Sequence, residues 1–239
     1  MTGRHDIAAT LPWLREGTAL LSTVVEALTD DQLAQPSVLP GWTRAHVIGH
    51  VARNAEALGR LAAWARTGVP TPMYADREQR AAEIEAAAAR PPGVLRDELA
   101  TTAAALDAAV TGLDEDAWHA QVRSALGRTI PATEIPWLRV REVWLHAVDL
   151  AAGADIGDLP ADLVGALLDD VTGTLNTRPG CPPLRLVPVD SDQILRLGPA
   201  ATATTDVTAP ASLLLAWVTG RAEAATVGAP AALTLPRWL

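Results

Sequence analysis

Apolar residues recur at three- and four-residue steps through the first two-thirds of this chain, the period of amphipathic helices. From about Asp6 to Leu33 the stripe runs through Leu11, Leu14, Leu20, Val24 and Leu28 and predicts a first helix. The stretch Pro36-Ser37-Val38-Leu39-Pro40-Gly41-Trp42 breaks it. Thr43 is a good N-cap, so a second helix is expected from there to about Thr67, with Gly68 as its stop. A third helical region covers roughly Arg77 to Gly112 and is interrupted at Pro91-Pro92. A fourth begins after Pro131, near Thr133, and runs to Gly153, with Pro136 tolerable only in its first turn. Four such helices with one long, irregular connection predict an up-and-down bundle, an architecture that builds metal sites from facing side chains.

Beyond Gly153 the period changes. Pro160 to Asn176 is one more helical stretch. Leu184-Arg185-Leu186-Val187 and Gln193-Ile194-Leu195-Arg196-Leu197 then alternate with the period of strands, separated by the turn-like Pro188-Val189-Asp190-Ser191-Asp192. A weaker strand is expected around Ala203 to Val207, a helix from Ala209 to Val218, and a last strand at Ala232 to Leu235. The fold class expected is therefore α+β: a four-helix bundle over residues 1–156, then a smaller mixed α/β domain over residues 157–239.

Composition narrows the function. An apolar fraction of 49% over 239 residues permits a substantial core. The formal charge of −9, with no basic run, disfavours nucleic acid and anionic membranes as partners. No segment reaches the roughly 20 apolar residues of a membrane span, and the N-terminus lacks a secretory core, so a cytoplasmic address is expected; a monomer is expected as well. Cys181 is the only cysteine, which rules out an internal disulfide and cysteine-rich zinc sites. All 19 basic residues are arginine, so neither a Schiff-base lysine nor a P-loop lysine is available.

Candidate chemistry lies on the second and fourth helices. Arg44, Arg53, Glu56 and Arg60 mark the exposed side of the second, which leaves His46, His50 and Asn54 on the core stripe. Buried polar groups need partners, and a metal ion is one way to satisfy imidazole. On the fourth helix Arg139, Glu142, His146 and Asp149 form a polar stripe. Glu142 and His146 sit one turn apart, close enough to share an ion, and Asp149 could orient an imidazole. If the two helices face each other, His50, Glu142 and His146 supply three ligands and leave a coordination position open, the mark of a catalytic zinc site. The same residues also fit plainer roles, as core histidines bonded to backbone and as a solvated i, i+4 pair.

The segment Leu39-Pro40-Gly41-Trp42-Thr43-Arg44-Ala45-His46-Val47-Ile48-Gly49-His50, followed by Asn54, resembles the start of the second helix in mycothiol-dependent maleylpyruvate isomerases. The stretch from Trp64 to Tyr74, the Arg139 to Leu150 segment, Gly220-Arg221 and the final Pro236-Arg237-Trp238-Leu239 are similar to that family as well. The wider group contains the metal-dependent bundles related to DinB and YfiT proteins. The resemblance implies a divalent metal, zinc, on His50, Glu142 and His146, with His46 outside the ligand set. It further implies mycothiol as thiol cofactor, with Asn54 and Tyr74 lining its site, and Arg80 and Arg221 as functional arginines that meet a small dicarboxylate substrate. A sterol-carrier-like C-terminal domain is also implied.

What such an enzyme does is cis–trans isomerisation of maleylpyruvate to fumarylpyruvate. A carbon–carbon double bond cannot rotate until it becomes single. Conjugate addition of a zinc-activated mycothiol thiolate, followed by rotation and elimination, achieves this and returns the thiol. The alternatives are a mycothiol S-transferase on the same bundle and a non-enzymatic protein that binds a small ligand.

Overall fold

The computed structural model describes residues 3–199, 205–230 and 233–238. It is of the α+β class, and the chain forms two compact units, Thr2–Ala154 and Asp155–Leu239. No helix among the described residues is long and apolar enough to cross a membrane.

In the first unit α1 spans Ile7–Ala27, capped by the Asp6 side chain on the Ala8 N–H. The expected continuation to Leu33 is broken at Leu28, which is extended. Thr29 and Gln32 form a capping box that starts a separate short helix, α2 (Asp30–Leu33), and a box of that kind marks a new N-terminus. Helix α3 (Arg44–Thr67) begins at the Thr43 cap and ends at Gly68, whose φ of 72° suits a residue without Cβ. Helices α4 (Arg77–Ala88) and α5 (Pro92–Thr111) flank the proline pair. A short α6 (Glu115–His119) follows, then an antiparallel hairpin of β1 (Gln121–Arg123) and β2 (Thr129–Pro131) that the hydrophobic pattern does not predict. Three-residue strands are too short to display a period. Helix α7 covers Ile135–Asp149, with Pro136 in its first turn.

Helix α7 stops four residues before the expected Gly153 because its last carbonyls find partners outside the helix. Asp149 O accepts from the Val38 N–H, and Leu150 O and Ala151 O accept from Arg44 at 2.7 and 3.1 Å. Arg44, expected on the solvent side, thus caps the negative end of α7. This clamps the start of α3 to the end of α7.

Helices α1, α5, α3 and α7 pack in that order around the core, each against the next. Arg15 pairs with Asp107 and Arg96 with Asp30, so α1 and α5 run antiparallel. Helices α3 and α5 run parallel, joined by contacts such as Arg53 with Glu98. Strict up-and-down alternation therefore does not hold. The connection through α4 is long enough to return the chain to the end from which α3 started. The core includes Leu58, Leu61, Leu106, Val110 and, from the hairpin, Ile130, all nearly or fully buried. Burying each such side chain contributes about 1.5–3 kcal/mol.

The second unit contains α8 (Ala161–Leu175), β3 (Leu184–Pro188), β4 (Leu195–Leu197), β5 (Thr205–Ala209) and α9 (Ala211–Val218). Strand β3 lies between β4 (antiparallel) and β5 (parallel), and it buries Leu184 and Leu186. Ala203 and Thr204 of the third expected strand lie outside the described residues, as does Ala232. Leu233 to Leu235 form no strand.

Candidate metal centre

Because α3 starts where α7 ends, these helices run antiparallel, and the second turn of α3 meets the last two turns of α7. His50 Nε2 lies 2.8 Å from Glu142 Oε2, and His146 Nε2 lies 3.2 Å from the same oxygen. The two imidazoles stand edge to face, with centroids 4.9 Å apart and planes at 87°. One donor atom from each of His50, Glu142 and His146 falls within 4.8 Å of the other two, the one such cluster among the described residues.

The surroundings hold these donors in place. Asp149, fully buried, accepts from His146 Nδ1 at 2.8 Å, which leaves Nε2 directed at Glu142. The Trp42 ring packs 5.5 Å from that of His50. Deeper in the interface the Arg139 guanidinium donates through Nη1 to Val51 O (2.7 Å) and Asn54 Oδ1 (2.9 Å), tying α7 to α3 next to His50. His46 is turned elsewhere: its Nδ1 accepts from the Thr43 N–H and its Nε2 lies 3.2 Å from Glu85. It caps the helix and stays out of the cluster.

The sequence profile described as the mycothiol maleylpyruvate isomerase N-terminal domain matches residues 14–151, a span that holds every residue of this cluster. The chain belongs to the mycothiol maleylpyruvate isomerase family. Two solved structures align with this family member over their whole length and its own, each at 35% identity. One is the crystal structure of a mycothiol-dependent maleylpyruvate isomerase, with a TM-score of 0.92, and the other is a histidine-to-alanine variant of such an isomerase, at 0.91. A comparison with curated proteins finds no match.

The electrostatics of the site fit a cation-binding donor set. Burial alone would lift the Glu142 pKa, yet the charge of His50 and hydrogen bonds from both imidazoles hold it well below the usual carboxylate range. Glu142 is thus an anion near neutral pH. Burial lowers the pKa of His50, which favours the neutral imidazole that a metal requires. Burial pulls His146 the same way, but its hydrogen bonds to Asp149 and Glu142 outweigh that and raise its pKa. In the metal-free chain a proton on His146 therefore competes with an ion. Zinc titrated into metal-free protein is expected to release protons, more of them as the pH is lowered, read by calorimetry in buffers of different ionisation enthalpy. Affinity should fall as the pH is lowered, and an affinity independent of pH down to about pH 5 would count against imidazole ligands.

The remaining expected site residues lie as follows. Asn54 is buried, its carbonyl oxygen taken by Arg139. Tyr74 lies beneath the Arg60 and Arg80 guanidinium groups, each 5.9 Å from its ring, and burial raises its pKa. Arg80 Nη2 comes within 3.4 Å of His50 Nδ1. Arg221 belongs to the other unit, in the turn after α9, where its Nη1 donates to Thr219 O at 3.2 Å. Sequence reasoning underrated Arg139, which is fully buried and has its pKa lowered to about 10 by desolvation. Its place on the polar stripe of α7 was the available signal. Cys181 is only partly buried, and desolvation raises its thiol pKa, the opposite of an activated cysteine.

Proposed function

We propose that this chain isomerises maleylpyruvate to fumarylpyruvate with mycothiol as thiol cofactor, and that His50, Glu142 and His146 hold a divalent metal, zinc in the first instance. The observation that carries the reading is the convergence of two imidazoles and one buried carboxylate from opposed helices, in a chain that aligns end to end with an isomerase of that name. Two neutral nitrogens and one anionic oxygen form a donor set suited to zinc, with room for a further ligand. When bound, such an ion supplies a Lewis-acidic position at which a thiol loses its proton near neutral pH.

The chain's own residues do the rest. Asp149 fixes the tautomer of His146 through Nδ1. Arg139 and Asn54 hold α3 against α7 so that the donor distances persist. Arg80 is the arginine poised to meet a substrate carboxylate beside His50, and Arg221, in the second unit, is read as a further functional arginine. Tyr74 is read as lining the cofactor site, and Asn54 as supporting it. Residues 1–156 are read as the metal-binding bundle and 157–239 as a sterol-carrier-like domain, in a monomeric cytoplasmic enzyme.

Product analysis tests this reading. With catalytic mycothiol, purified protein is expected to convert maleylpyruvate fully to fumarylpyruvate while the free thiol concentration stays constant. Stoichiometric loss of thiol into an adduct would make the protein an S-transferase. No reaction with or without thiol would remove the enzymatic reading.

A further inference from the structure

The connection between α3 and α4 and the unforeseen β1–β2 hairpin border a half-open cavity of about 540 Å³ within the first unit. That is within the roughly 300–1,000 Å³ of small-molecule sites. Trp64, Met73 and Tyr74 supply apolar and aromatic wall, and Arg77, Arg80 and Arg123 bring three guanidinium groups to its lining. Asp76 is the one carboxylate there, and its Oδ1 is occupied in capping α4 through the Gln79 N–H.

What sets this cavity apart is that three arginines gather at one lining without a carboxylate partner among the described residues. The chain carries a net charge of −9, and Arg15, Arg53, Arg90, Arg96, Arg128 and Arg185 all pair with carboxylates. Around the cavity no such pairing occurs among the described residues. Arg77 and Arg123 make no side-chain hydrogen bond or ion pair there, and Arg80 meets only Tyr74 and, at a long 3.4 Å, His50 Nδ1. Three unneutralised forks around one cavity suit an anion, since guanidinium binds carboxylate bidentately. A neutral sugar could accept hydrogen bonds from them but would not neutralise their charge. Arg80 adjoins the donor cluster, whereas Arg123 stands on the hairpin.

We propose that this cavity receives the carboxylate of a dianionic substrate that lies away from the reacting carbons, and that Arg123 is the residue selecting for it. The proposal rests on the isomerase reading for the identity of the substrate, but the binding site can be tested without catalysis. Because Arg123 is exposed, its loss spares the core. The probes are heptanedioate, a saturated seven-carbon dicarboxylate that cannot undergo conjugate addition, and heptanoate, which lacks its second charge. Calorimetry on the full-length protein is expected to show heptanedioate binding about tenfold more tightly than heptanoate.

In Arg123→Gln that margin should vanish, with heptanoate binding and metal content unchanged. KM for maleylpyruvate should rise about tenfold, with kcat within about twofold of wild type. A margin retained in the variant, a margin absent from wild type, or heptanoate binding weakened as much as heptanedioate binding would overturn the assignment. Turnover without any Arg123-dependent margin sinks the subsite alone. A margin without turnover leaves the subsite standing and sinks the isomerase reading.

Discussion

His50→Ala protein is expected to carry no stoichiometric metal, where wild type purified beside it carries about one divalent ion per chain. The substitution removes one of three donors and leaves Glu142 and His146, adjacent on one helix, to hold an ion alone. Metal affinity depends on donors that are already in place. Here the opposing helix supplies a single imidazole, oriented by Glu142 at 2.8 Å and packed by Trp42. Changes to residues that merely orient a ligand cost about 10–100-fold in affinity or activity, so loss of a ligand itself should exceed that range. His46→Ala is the control: it should keep the metal and lose about 1 kcal/mol of stability through the α3 cap. Emission spectrometry of extensively dialysed protein reads both, and equal metal in wild type and His50→Ala would end the metal reading.

Gly17→Ala should destabilise the fold by roughly 2–4 kcal/mol, an effect of overpacking with no charge involved. Gly17 lies where α1 crosses α7. A Cβ there would stand 2.5 Å from Trp144 Nε1 and 2.6 Å from Val143 Cγ2. Neither neighbour can yield cheaply. Val143 is fully buried, and the Trp144 indole donates to Trp13 O at 2.7 Å while Trp13 packs on Trp137. To admit one methyl group, α1 must retreat or the indole must give up its hydrogen bond. Urea titration followed by tryptophan fluorescence would show the lowered midpoint. The clash lies on a different side of α7 from Glu142, so the folded fraction should still bind metal. A midpoint unchanged within error would mean that the α1–α7 contact is looser than described.

How much of this was legible beforehand follows from what each feature depends on. Helix α3 could be read from end to end, because its start and stop are local: a threonine side chain reaching a nearby N–H, and a glycine free to adopt positive φ. The end of α7 could not, since it is set by Arg44 and Val38, about a hundred residues earlier in the chain. Likewise the break after α1 was written in Thr29 and Gln32 but masked by an apolar stripe that carries on through Leu28 and Leu33. The donor triad was legible as residue types on two core-facing stripes. That the stripes share an interface was not.

What local chemistry determined by itself was the long helices, the class of the fold, and three candidate donors whose spacing permits a metal. What only tertiary structure decided was the order α1, α5, α3, α7, the parallel course of α3 and α5, and the convergence of three donor atoms within 4.8 Å. It also placed the hairpin that brings Arg123 to a cavity beside Tyr74 and Arg80. The physical reason is range. Caps and amphipathic periods act over four residues, whereas bundle order and donor convergence come from burying several apolar faces at once, a requirement that no single window of the chain contains.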